Sequence, residues 1–318
     1  MIIKKEKTMN TKSQFYYSRS IVWKDFRVNR SLYLMALPAV LYYILFHYFP
    51  MYGALIAFKS YQPYLGFLKS SFVGLDNFKQ FFNSPYFSVI LVNTFRISLS
   101  TLLFGFPAPI ILALLINEMQ HRRYAKLVQN ILYMPHFISL VVICGMIKAF
   151  TLDTGIINNI RVFLGLEAKS LLNYPEYFVP IYVISDIWQH AGWSSIIYLA
   201  ALSNIDSELY EAAMIDGANR FKQTIYVTIP GIIPTVVIML ILRIGGLLNV
   251  GHEKIILLYN DSVMSVADVI STYVYRKGLI DQSWSFSAAV GLFNSVINFM
   301  FLIATNYISK KATDVGLW

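Results

Sequence analysis

Asp186, His190 and Trp193 fall at i, i+4 and i+7, so a helix carries them on one face, with Gln189 at its border. A carboxylate, an imidazole and an amide beside a flat indole are suited to a sugar, whose C–H faces stack on rings while its hydroxyls take hydrogen bonds. The competing role is polar packing between helices. Arg243 and Asn249 lie further on, and Ser287, Gly291, Asn294 and Asn298 repeat at i, i+4, i+7 and i+11. The latter stripe faces either a cavity or a partner subunit. Arg243 either pairs with Asp186 or snorkels to an interface. This is recognition chemistry rather than catalysis. His47, His121, His136, His190 and His252 show no metal-ligand spacing, and the chain has neither a G-x-S-x-G turn nor a G-x-x-x-x-G-K-[ST] phosphate loop. Cys144, the one cysteine, falls in an apolar stretch and reads as a core residue. The expectation is a chain that is no enzyme and binds no metal or cofactor of its own.

The elements that position these groups must lie in a membrane. Of 318 residues 57% are hydrophobic, and the mean hydropathy is +0.55, which excludes a typical soluble enzyme. About 20 residues cross the hydrocarbon, and residues 33–57, 97–116, 127–150, 178–199, 232–249 and 288–308 are the stretches that qualify. The expected fold is therefore all-α and integral to the membrane, with six transmembrane helices. Basic residues gather on one side. Lys4, Lys5, Lys7, Lys12, Arg19, Lys24, Arg27 and Arg30 precede the first span, Arg122, Arg123 and Lys126 follow the second, Arg220 and Lys222 follow the fourth, and Lys310 and Lys311 close the chain. The positive-inside rule then puts both termini in the cytoplasm. A net charge of +9 sits beside membrane ends, without stacking aromatics in a soluble module, so anionic lipid accounts for it and nucleic acid is not a partner.

The first apolar stretch follows a basic arm and is too long for a cleavable signal, so it reads as a retained anchor. Residues 1–31 form that arm and residues 32–318 the membrane domain. Within the arm Phe15, Val22, Trp23 and Phe26 share a helical face, which suggests an interfacial helix, with disorder as the alternative. Kinks are expected at Pro38, Pro50, Pro107, Pro109, Pro135 and Pro234. Outside the spans, Phe78, Phe81 and Phe82 share a helical face. Val266, Val269, Ile270, Tyr273 and Val274 recur at helix spacing, with Asp261 or Ser262 as the cap.

Between the fourth and fifth spans, on the expected cytoplasmic side, lies a third constellation: Glu211, Ala212 and Ala213, then Gly217, then Val227, Ile229 and Pro230. Ser207 can cap a helix starting at Glu208, whose carboxylate lies at the positive end of the dipole. The alanines keep one face thin enough for a partner's groove. Gly217 can take the left-handed conformation that stops this helix and turns the chain into a second one near Ala218, which Pro230 is expected to end.

The spacing E-A-A-x3-G-x9-V-x-I-P resembles the cytoplasmic docking loop of ABC importer permeases, which usually have Ile and Leu where this chain has Val227 and Ile229. Residues 72–78, Leu258-Tyr259-Asn260, residues 266–279 and the ending Gly316-Leu317-Trp318 look like the permeases that take up complex oligosaccharides or polysaccharide fragments. The resemblance implies the six-helix type I (MetI-like) importer core in a bacterial cytoplasmic membrane. It also implies a second homologous permease, two ATPase subunits that carry ATP and magnesium, and a lipid-anchored extracytoplasmic solute-binding protein. Coupling to the ATPases would fall to residues 207–230, with Glu208, Glu211, Ala212, Ala213, Asp216, Gly217 and Pro230. The path of the saccharide would be lined from among Asp186, Gln189, His190, Trp193, Arg243, Asn249 and Asn294. The alternatives are an ion-gradient-driven secondary transporter, an ABC permease for a non-sugar solute, and a non-transporting scaffold. The docking loop separates the ABC permeases from the other two.

Overall fold

The structure, a computed structural model, describes residues 24–318. Most of the interfacial helix expected in the arm, Phe15, Val22 and Trp23 included, lies outside the described residues. The chain forms two compact units, one ending at Leu55 and one running from Ile56 to Trp318. In the first, the Asn29 amide and the Tyr33 hydroxyl both donate to the Asp25 carboxylate, at 2.7 and 2.6 Å.

Helix dominates throughout, and among the described residues the only strands are the antiparallel pair β1 (Lys59–Ser60) and β2 (Ser71–Phe72). Among the described residues five helical stretches are long and apolar enough to cross a membrane: α1 (Arg30–Phe58), Phe87–Asn117, Leu140–Phe163, Arg220–Gly245 and Trp284–Thr313. The short helix α2 (Asp76–Phe82) precedes the second of these, here α3, and α4 (Arg122–Tyr133) follows it. The third is interrupted, giving α5 (Leu140–Thr151) and α6 (Ile156–Phe163). Next come α7 (Pro175–Ser203) and α8 (Ser207–Ile215), then Arg220–Gly245 as α9. The chain closes with α10 (His252–Leu258), α11 (Met264–Ala267), α12 (Ile270–Tyr275) and α13 (Trp284–Thr313). The expected fourth span lies within α7. That helix is 29 residues long, but Asp186, Gln189, His190, Ser194 and Ser195 lower its hydropathy and keep it out of the apolar five.

Three buried clusters hold the larger unit. Ile97, Cys144, Phe178, Val183, Ile255 and Leu258 join α3, α5, α7 and α10. Phe81, Ile90, Tyr273, Phe286 and Val290 join α2, α3, α12 and α13. Ala113, Tyr198, Leu202 and Ile232 join α3, α7 and α9. Cys144 is thus the core residue expected. Hydrocarbon gives helices no hydrophobic reason to associate, so close packing has to hold them. Gly192 makes this visible: a Cβ there would lie 2.1 Å from the Leu132 carbonyl oxygen of α4.

Prolines shape the spans in an unexpected way. The π turns Ile44–Tyr48, Thr101–Gly105 and Thr224–Thr228 each end two residues before a proline, at Pro50, Pro107 and Pro230. A proline ring clashes with the carbonyl four residues back and offers no N–H, and a widened turn relieves both problems without breaking the helix. Pro230 therefore does not end the second docking helix. It sits inside α9, which runs unbroken from Arg220 to Gly245, with Ile229 N–H bonded five residues back to Thr224. Pro135 occupies a 3-10 turn between α4 and α5, and Pro38 and Pro234 lie inside regular helix.

The outer segments depart in one further respect. The periodic run from Val266 to Val274 is broken between Ala267 and Ile270. The Asn93 amide of α3 takes the Ser265 and Asp268 carbonyls at 2.9 and 3.0 Å, and the Asp268 carboxylate turns to hold Arg276 at 2.6 Å. Helix hydrogen bonds are thus exchanged for tertiary ones. In α2, Phe81 is buried against Phe87 and Phe293, with centroids at 5.0 and 5.5 Å, while Phe82 remains half exposed.

Candidate functional site

The segment expected to dock the ATPases is a helix–turn–helix. Its first helix, α8, begins at Ser207 and is capped by Asp206, whose Oδ1 accepts the Glu208 N–H at 3.0 Å. The cap is one residue earlier than Ser207. Both side chains are good caps, and the carboxylate takes the place because it also complements the helix dipole. Gly217 has φ +74°, and the Ala218 N–H reaches back to the Ala213 carbonyl at 2.9 Å, closing the helix. The second helix starts at Arg220 rather than near Ala218, because Asn219 caps it by accepting the Lys222 N–H at 2.9 Å. Replacing Asp206 by alanine is expected to cost about 1 kcal/mol locally, read as roughly fivefold faster amide exchange in the first turn of α8.

Several contacts hold this segment against the bundle. The Tyr210 and Thr228 hydroxyls meet at 3.1 Å, Arg220 reaches Glu118 at 3.5 Å, and the Ile205 side chain fills the space a Cβ on Gly231 would need. The opposite face is bare. Glu208, Glu211, Ala212, Asp216 and Gly217 are exposed, Ala213 is half-buried, and the surrounding apolar side chains are exposed too, Ile215 by 87% and Phe221 by 72%. Among the described residues the Glu211 carboxylate forms no hydrogen bond or ion pair. Pro230 is exposed as well and lies within α9, in the turn that follows the π turn Thr224–Thr228.

Across the middle of the unit, α3, α7, α9 and α10 enclose a cavity of about 770 Å³. Asp186, Gln189, His190, Arg243 and Asn249 all line it, as do Ser98, Thr101, Tyr182, Tyr198 and Lys254. Trp193 and Asn294 do not. The Trp193 ring is stacked on His136 with centroids 4.8 Å apart, and Tyr133 and Phe137 meet it edge-on. Asn294 lines a smaller hollow of about 470 Å³ and supports the main cavity from behind. Asn294 and Asn298 both donate to the Asn249 Oδ1, at 2.9 and 3.0 Å, and Asn298 also accepts the Leu248 N–H at 2.9 Å. The polar stripe of α13 therefore fixes the end of α9.

The charged group at the centre is a pair that sequence reasoning missed. Lys254 Nζ lies 3.6 Å from Asp186 Oδ1, donates to the Tyr182 carbonyl at 3.2 Å and sits 4.7 Å from the centre of the Tyr182 ring. His190 Nδ1 approaches the same carboxylate oxygen at 3.3 Å. Lys254 reads in sequence as one of the outer-loop cations, and the only signal of burial is its place at the head of the apolar run Ile255–Leu258. Arg243 lines the cavity but forms no ion pair among the described residues, so Asp186 is matched by Lys254 and His190 instead. Gln189 Oε1 and Ser98 Oγ are buried without a protein partner, an arrangement that suits acceptance of hydrogen bonds from a hydroxylated solute.

The chain that carries this cavity and loop is similar to known proteins. The family of binding-protein-dependent transport system inner membrane components matches residues 105–314. Protein LplB of Bacillus subtilis (strain 168) is 46% identical over 90% of this chain and 91% of its own length. From the same organism, the polygalacturonan/rhamnogalacturonan transport system permease protein YteP is 43% identical over 90% of each chain. Among solved structures, a bacterial alginate ABC transporter in complex with an alginate pentasaccharide-bound periplasmic protein contains a chain 42% identical, with a TM-score of 0.85, covering 93% of this chain and 99% of that one.

Proposed function

Because the chain belongs to the inner membrane components of binding-protein-dependent transport systems, we propose that it forms half of the translocation path of an ATP-driven importer for an oligosaccharide or polysaccharide fragment. The observation that carries this is the bare face of α8, a helix fixed at both ends and anchored to α9, yet presenting Glu211 and a rim of apolar side chains that no described residue of its own chain covers. A separate ATPase subunit seats there. ATP and magnesium are held by two such subunits, and this chain pairs with a second, similar permease. A lipid-anchored solute-binding protein delivers the cargo from outside.

In this arrangement α7 is the sixth crossing, and its polar residues turn to the cavity rather than to lipid. Both termini are cytoplasmic, residues 1–31 are a basic arm on that side, and residues 32–318 form the permease body. ATP binding draws the two ATPases together and carries the docking helices inward, and the paired permeases rock open to the outside. This works only if the ATP-bound state favours the outward conformation differentially. The saccharide class is supported by the relatives named for polygalacturonan and alginate. It is also supported by a cavity that offers a carboxylate, an imidazole, an amide and tyrosine rings.

Glu211→Lys is expected to abolish uptake and substrate-stimulated ATP hydrolysis while the chain still inserts and assembles in the membrane. Uptake at the wild-type rate in that variant would remove the coupling role.

A further inference from the structure

The short helix α6 is fixed in place on one side and bare on the other. Its fixed side is Asn158, 0% exposed, whose amide donates to the Leu152 and Lys169 carbonyls at 2.6 and 2.7 Å and accepts the Lys169 N–H at 3.0 Å. The turn before it is equally tight. A Cβ on Gly155 would lie 2.5 Å from the carbonyl oxygens of Ala149 and Phe150, so glycine lets the helix fold directly onto the end of α5. The bare side is apolar. Ile156, Ile160, Phe163 and Leu164 fall at i, i+4, i+7 and i+8, opposite Asn158, and all are exposed, Phe163 by 89%.

Two further observations say what covers this face. The apolar stretch Leu140–Phe163, long enough to cross a membrane, is α5 and α6 together with only residues 152–155 between them, so α6 forms one end of that stretch. Exposed apolar residues continue across the junction through Phe150 and Leu152. Arg161 borders the face beside Ile157 and Leu164, and Lys169 follows; among the described residues neither has a carboxylate partner. Their cationic groups lie 5.9 Å from the Tyr177 ring and 5.6 Å from the Tyr174 ring. Cations and tyrosines flanking an apolar arc match the phosphate and interfacial layers of a bilayer.

We propose that α6 is a membrane-interface helix, with Ile156, Ile160, Phe163 and Leu164 among the acyl chains and Arg161 and Lys169 at the lipid phosphates. The inference goes beyond transport and does not depend on the identity of the cargo. A foot of this kind fixes the height of the α5–α7 connection relative to the bilayer surface.

The test uses the full chain in phosphatidylethanolamine–phosphatidylglycerol nanodiscs. Ile160→Cys, Phe163→Cys and Glu167→Cys each receive an environment-sensitive fluorophore, the native Cys144 being buried and free of it. The expected result is several-fold stronger quenching by tail-nitroxide lipid than by aqueous iodide at 160 and 163, with the reverse at 167. Iodide quenching at 160 and 163 equal to that at 167 would overturn the proposal. So would shielding of both positions from both quenchers, which means that protein rather than lipid covers the face.

Discussion

Lys254→Met is expected to reduce sharply both the yield of folded protein and uptake, while the double change with Asp186→Asn recovers most of the yield. Lys254 is only 4% exposed and lies 3.6 Å from the Asp186 carboxylate, which lines the cavity. Removing one partner of a buried pair leaves the other charge uncompensated, at a cost of about 3–5 kcal/mol, whereas replacing both charges is often nearly neutral. His190 also faces Asp186 and offsets part of the loss, so the lower end, about 3 kcal/mol, applies to the single variant. Thermal unfolding of the detergent-solubilised protein across the four-member double-mutant cycle measures the coupling. Additive effects of the two changes would show that the pair is not an energetic unit. Uptake separates a second role: a double variant that folds but does not transport places the pair on the cargo path.

Gly192→Ala is expected to be comparably severe for a purely steric reason. The added methyl would lie 2.1 Å from the Leu132 oxygen and 2.6 Å from its carbon, both backbone atoms with no rotamer to adopt. Overpacking by one carbon typically costs 1–3 kcal/mol, and a contact with backbone takes the upper part of that range, about 3 kcal/mol. Helices α4 and α7 must separate, and the stacked His136 and Trp193 rings that join them must part. Loss of expression and of the Trp193–His136 stacking, followed by Trp193 fluorescence, checks this. Gly291→Ala is the control, since a Cβ there meets nothing within 4 Å.

Much of this was legible in the residues. The docking loop could be read because its signals are local: Gly217 turns left-handed and small residues keep a face thin. Its cap could not be assigned, because Asp206 and Ser207 are both competent and only the folded backbone selects between them. Five of the seven residues proposed for the path meet at one cavity, since helical periodicity alone places Asp186, Gln189 and His190 together. Trp193 continues the same face by spacing, but α4 approaches there and His136 takes the ring. Lys254 was hidden by its position between spans, where a lysine is normally solvated, and its partner is 68 residues away in sequence. Pro230 misled because a proline rule that holds for an ordinary helix fails next to a π turn.

Those widened turns have a consequence for how such a chain can vary. Each accommodates one residue more than an ordinary turn, so the angular phase of every side chain beyond it is reset relative to those before it. The face of α9 that meets the docking helices and the face that bears Arg243 are thus indexed separately. A single-residue deletion within Thr224–Thr228, compensated by loss of the proline at 230, would change one index and preserve the other. Drift at the exposed face of the helix–turn–helix and drift in the lining of the cavity can then proceed along one continuous rod without disturbing each other.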